Sequence, residues 1–163
     1  MGFFDFLNDN QDNERIAYEG FLTISNSFIV VLGGGMFWKY TLKGSGYSDN
    51  DIRIFNATII FGILVGAATR VGKEFIPEET LFVELEKAVK KMSTFNDEKL
   101  NQKQVQEIVG TTLYNQDDEV FQELIMAVGL STCEDELSNF IPNLGRFYED
   151  KNFLSKFKSK INA

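Results

Sequence analysis

Ile54-Phe-Asn-Ala-Thr-Ile-Ile-Phe-Gly-Ile-Leu-Val-Gly-Ala-Ala-Thr69 is the stretch on which the reading of this chain turns. It carries no charge, and apart from Asn56 and its two threonines it presents only apolar side chains or glycine. Such a run needs an apolar surround: lipid, a neighbouring subunit or the chain's own core.

A second apolar stretch stands upstream, Phe21 to Leu42. As one helix it would span about 33 Å, enough for a hydrocarbon core of about 30 Å. Tyr18 lies at one end and Trp38 and Tyr40 at the other, the placement of an interfacial aromatic belt. Lys43 and Arg70 stand where long cationic side chains reach toward headgroups. Gly33, Gly34 and Gly35 would weaken a helix in water but let membrane helices approach closely. Thr58, Gly62 and Gly66, four apart, open a similar face on the second stretch. Ser25, Asn26, Ser27 and Asn56 are then candidates for contact with neighbouring protein.

These features predict a mainly α protein with a two-helix transmembrane hairpin over 21–73. Its helices run over about 21–42 and 54–72, joined by the turn-rich loop 43–53. A small acidic helical bundle follows. The competing reading is a soluble α+β domain, with β-branched and aromatic residues around Ser25-Asn26 and Gly33–Gly35 forming an N-terminal β-hairpin or meander.

Charge sharpens the division. Residues 1–20 carry five acids against Arg15, and 21–76 carry five bases against three acids. The net charge is −8, so the remainder holds most of the acid excess. A face that neutralises phosphates is not expected on such a chain, nor is a nucleic-acid partner. Residues 1–20 read as an amphipathic segment in which Phe3, Phe4 and Leu7 share a helical face, suited to an interfacial anchor or to docking on the chain itself.

From Pro77 the pattern becomes that of amphipathic helices over 77–149. Leu81, Leu85, Ala88, Val89 and Met92 make the first stripe; Leu100, Val105, Ile108, Val109 and Leu113 the second. Asp117 is expected to open a third helix that ends at Gly129. Ser131-Thr-Cys-Glu134 fits a capping box for a fourth, which Pro142 should kink or divide. The last segment, 150–163, is basic and amphipathic. Phe153 and Phe157, with Lys156 and Lys160, suit docking on an anionic membrane, on an acidic partner or on the chain's own acidic bundle.

Most chemistries find no foothold. There is one cysteine, Cys133, and no histidine. Zinc spacing, a thiol–imidazole pair and the commonest general base are therefore missing. No phosphate-binding loop follows any glycine cluster. Asp117-Asp118-Glu119 and Glu134-Asp135-Glu136 lack the ligand alternation of a calcium loop and suit helix N-termini. No catalytic residue, metal site or cofactor is expected.

Ala67-Ala-Thr-Arg-Val-Gly-Lys-Glu-Phe-Ile-Pro-Glu-Glu-Thr80, a helix passing through an acidic turn into another helix, resembles the TerB-type helical domains of tellurite resistance. The opening Phe3-Phe4-Asp5 is similar too. The Asp-Gly pairs that such domains carry at that turn are missing here, and no site is carried over.

The leading expectation is a non-catalytic, membrane-anchored structural or assembly subunit. Its partners would be other membrane subunits or further copies, with the bilayer around the hairpin. The bases flank the hairpin evenly, so the positive-inside rule sets no orientation. The lack of an export signal and the short polar loop favour a cytoplasmic helical domain. The alternatives are a soluble helical protein-binding module, distantly TerB-like, and a holin-like or pore-forming hairpin.

Overall fold

The computed structural model describes the backbone of residues 3–34, 37–95 and 99–163, and the side chains of 11–33, 41–92 and 99–163. Among these the chain is mainly α-helical, with eight α-helices, one short 3-10 turn and no strand. The strands of the α+β reading are therefore not present among the described residues.

The helices are α1 (Phe3–Gly34), α2 (Phe37–Gly44), α3 (Asp49–Val71), α4 (Glu78–Phe95), α5 (Gln102–Tyr114), α6 (Glu119–Glu134), α7 (Leu137–Glu149) and α8 (Lys151–Ile161). The stretch expected as one helix over 21–42 lies across the end of α1 and most of α2. α1 also starts far earlier than the apolar run and continues through the polar residues 8–14. Residues 11–16 are all exposed, and Ala17 is the first described α1 residue to be buried. Over residues 11–16 the helix thus forms without a core to cover.

α3 is the axis of the fold. Ser48 caps it: its hydroxyl accepts from Asp51 N–H at 3.1 Å, and the Asp51 carboxylate accepts from Ser48 N–H at 3.1 Å. This reciprocal box starts the helix several residues before the apolar run. α6, α1, α4 and α5 pack around α3, most extensively α6. Two helical segments, Gln11–Gly33 and Asp49–Val71, are long and apolar enough to cross a membrane, yet the apolar window of the second is 78% buried inside this chain. A helix apolar on all sides is at home either in lipid or at the centre of a bundle.

The hydroxyls of Ser25, Ser27 and Thr58 within the apolar stretches are satisfied by their own helices. Ser25 Oγ donates to Phe21 O at 2.7 Å, Ser27 Oγ to Thr23 O at 2.8 Å and Thr58 Oγ1 to Ile54 O at 2.8 Å. A hydroxyl bonded one turn back can be buried without a partner on another helix.

Gly72, at φ +114°, ends α3, and the 3-10 turn Lys73–Phe75 carries the chain into α4. The stretch 67–80 therefore passes from α3 through a turn that carries Lys73 and Glu74 into α4, where Glu78 and Glu79 stand in the first turn. Further on, Asp118 rather than Asp117 caps α6, accepting from Val120 N–H at 2.9 Å. Ser131 to Glu134, expected as a capping box, is the last turn of α6, and α7 begins at Leu137. Pro142 sits inside α7, which remains one helix.

Candidate functional site

Gly129 was expected to end a helix; it lies in the middle of α6 and faces α3. An added Cβ there would stand 3.3 Å from Gly62 O. On the α3 side, a Cβ at Gly62 would stand 2.9 Å from Ile125 O, and one at Gly66 would collide with Gly129 O. The expected Thr58–Gly62–Gly66 face thus meets α6 of the same chain, backbone against backbone. Thr58 is fully buried beside it. Gly33 is half-buried near the end of α1 and Gly34 is the last residue of that helix; Gly35 lies outside the described residues.

Close approach on one side of α6 leaves the other side bare. Phe121, Leu124, Ile125 and Val128 point inward, whereas Met126 and Leu130 are 67% and 58% exposed. Four residues apart, these two form a ridge along the outside of the helix. A groove runs along each flank of it. The larger, about 710 Å³, lies over the Gly66–Gly129 crossing and is walled by Phe61, Val65, Ile76 and Leu81. The smaller, about 440 Å³, is walled by Phe140, Leu144 and Phe147 of α7. Leu130 and Glu134 line both.

The charges around this face are mostly negative. Glu78, Glu123, Glu134, Asp135 and Asp150 line the two grooves, against Lys73 and Arg146. Asp135 is held in place: its carboxylate accepts from Asn143 Nδ2 at 2.8 Å and from Ser131 Oγ at 3.0 Å. Cys133 is half-buried and lines the larger groove. Among the described residues no three His, Cys, Asp or Glu side chains gather as a metal-binding group. The face offers shape, apolar area and negative charge. Those properties suit binding.

The remaining sequence candidates are scattered. Tyr18 is partly exposed, and its hydroxyl donates to Glu84 Oε1 of α4 at 3.3 Å. Lys43 pairs with Asp49 at 3.6 Å across the turn between α2 and α3, and Arg70 is exposed in the last turn of α3. Trp38 and Tyr40 belong to α2, but their side chains lie outside the described set, as do those of Phe3, Phe4 and Leu7. Of the C-terminal docking set, Phe153 and Phe157 are buried in this chain's own core. Phe157 stacks on Phe121 with ring centroids 4.5 Å apart and meets Phe55 edge-on at 5.0 Å. Lys156 is exposed.

Lys160 reaches Asp118 at 3.1 Å and binds α8 to the start of α6. Burial works to raise the Asp118 carboxyl. The Lys160 ammonium and the N–H groups of Val120 and Phe121 outweigh it and hold that carboxyl below the usual carboxylate range.

Sequence reasoning singled out neither Met126 nor Leu130. The signal was their placement opposite the inward set Phe121, Leu124, Ile125 and Val128, where a surface helix ordinarily shows polar residues. No known protein family, curated protein or solved structure matches the chain.

Proposed function

We propose that this chain is a non-catalytic helical interaction module, an assembly subunit that holds a partner protein on the outer face of α6. The observation that carries this is the exposed Met126–Leu130 ridge between two grooves, each walled in part by apolar side chains. Contiguous exposed apolar surface on an otherwise charged protein marks a place where something docks. Cross-linking tests it. A photoreactive residue in place of Met126 should give a discrete adduct with a protein partner in cells that make the chain. The same residue at Ser159 of α8, also exposed, should not. Equal labelling at both positions overturns the reading.

A second reading, the membrane-anchored subunit, draws on the two segments long and apolar enough to cross a bilayer. It asks α3 to exchange its cover of α6, α4 and α5 for lipid, at the expense of the core it shares with them. Carbonate washing separates the two. A module leaves the membrane fraction without detergent and runs as a single species; a chain that resists carbonate and yields only to detergent is anchored.

A further inference from the structure

The α6 face has a definite chemistry, and with it a definite complement. Its centre is the Met126–Leu130 ridge, and the concave grooves on either side mix apolar side chains with five carboxylates and two cations. We propose that the occupant is a basic amphipathic helix of a partner protein. Such a helix would lay its apolar stripe along the ridge and grooves and its lysines or arginines against Glu78, Glu123, Glu134 and Asp150. This rests on the interaction-module reading above and names the partner's chemistry.

Three observations select this occupant. The first is spacing. Met126 and Leu130 stand one turn apart with a groove on either side. This relief accepts side chains that recur three and four residues apart on an apposed helix. Methionine, unbranched and polarizable, adapts to more than one such stripe.

The second is charge. A second copy docking by the same face would bring the groove carboxylates of one copy against those of the other, and like charges brought together at an interface are unfavourable. An anionic lipid surface meets the same repulsion. A cationic helix is drawn in.

The third is that the chain already holds one helix of this kind. α8 is basic and amphipathic. It buries Phe153, Leu154 and Phe157 in the bundle and sets Lys160 on Asp118 at the start of α6. The outer face of α6 presents the same pairing of apolar and acidic groups, and among the described residues no helix is laid across its ridge.

The probes are two synthetic peptides of about five helical turns. One is a leucine–lysine amphipathic peptide, and the other has glutamate at every lysine position. The lysine peptide should bind the full chain and weaken as salt rises, and the glutamate peptide should not bind. The deciding variant is the double substitution Met126→Glu, Leu130→Glu. Both positions are exposed, so the fold is expected to survive, and circular dichroism checks it. The variant adds two charges that attract the lysine peptide, so loose electrostatic adsorption would strengthen. Docking along the ridge should instead weaken at least tenfold.

Binding that is unchanged or tighter in the variant overturns the proposal, as does equal binding of the two peptides. Self-association of the chain that the variant abolishes would assign the face to a second copy. Sedimentation with phosphatidylglycerol vesicles that the variant abolishes would assign it to lipid; either result overturns the proposal. Should the Met126 cross-linker capture a protein while the lysine peptide fails to bind, the partner chemistry is wrong and the module stands.

Discussion

Gly66 of α3 and Gly129 of α6 meet across the helix crossing with no side chain between them. A methyl group on Gly66 would strike the Gly129 carbonyl and come within 2.8 Å of Thr132 Cβ. Backbone cannot swing aside as a flexible side chain can. Gly66→Ala should therefore destabilise the fold by about 3 kcal/mol, the scale of overpacking in a rigid core. Gly110 is the control, since a Cβ there meets nothing within 4 Å. Gly110→Ala in the exposed face of α5 should stabilise by about 0.5–1 kcal/mol. Urea denaturation of the two variants checks both signs.

Phe157→Ala separates an internal role for α8 from an external one. The ring is fully buried between Phe121 and Phe55. Its loss should cost about 3–5 kcal/mol, read as a lowered denaturation midpoint. Had α8 been a docking helix for membranes or partners, the same change would leave stability alone and abolish that docking.

Tyr47 and Tyr148 give the protein an alkaline limit. Burial pushes both phenols above the ordinary tyrosine value, with the Asp51 charge adding to the effect at Tyr47. In the unfolded chain both ionise near pH 10, while the folded chain keeps its protons. Above that point the unfolded state binds fewer protons, so stability falls as pH rises. The contribution is fully present below about pH 10 and declines by about 1.4 kcal/mol per pH unit for each tyrosine above it. Denaturation midpoints taken through the alkaline range should show this slope, and Tyr148→Phe should make it shallower.

Asp118 governs the acid side in the opposite sense. Its folded-state carboxyl is held below the usual range, so its contribution is present above the ordinary carboxylate value. That contribution is lost as pH falls through the folded-state value. Asp118→Ala removes both the α6 cap and the Lys160 pair and should cost about 1 kcal/mol near neutrality. Asp118→Asn keeps a capping oxygen, so it should retain most of that stability and lose the pH dependence. Denaturation of the wild-type chain and both variants at neutral and acidic pH checks the pair.

The helical character of the chain was legible in its periodicity. Of the expected stripe on α4, Leu85, Ala88, Val89 and Met92 are buried as their spacing implies and Leu81 is partly buried against them. What surrounds α3 was not legible, because hydropathy reports that a segment avoids water and is silent on what replaces it. Ser25, a candidate for contact with neighbouring protein, and Thr58, on the expected packing face, are buried here with each hydroxyl bonded one turn back on its own helix. Gly129 was read as punctuation because a glycine after a helical stripe often is. Its packing role shows only when the Gly62–Gly66 face is laid against it. The α6 ridge was hidden for a related reason. Met126 and Leu130 extend an apolar run, and only their placement opposite the inward set marks them as facing out.

The enclosure of α3 also sets an order of events during translation. α3 ends at Val71 and α6, its main cover, ends at Glu134. A ribosome adding about 5–20 residues per second needs about 3–13 s to make the intervening chain. Through that interval the nascent α3 lacks its principal neighbour. Until then it stands as a segment long and apolar enough to cross a membrane, and in this fold the arrival of α6 gives it its most extensive cover.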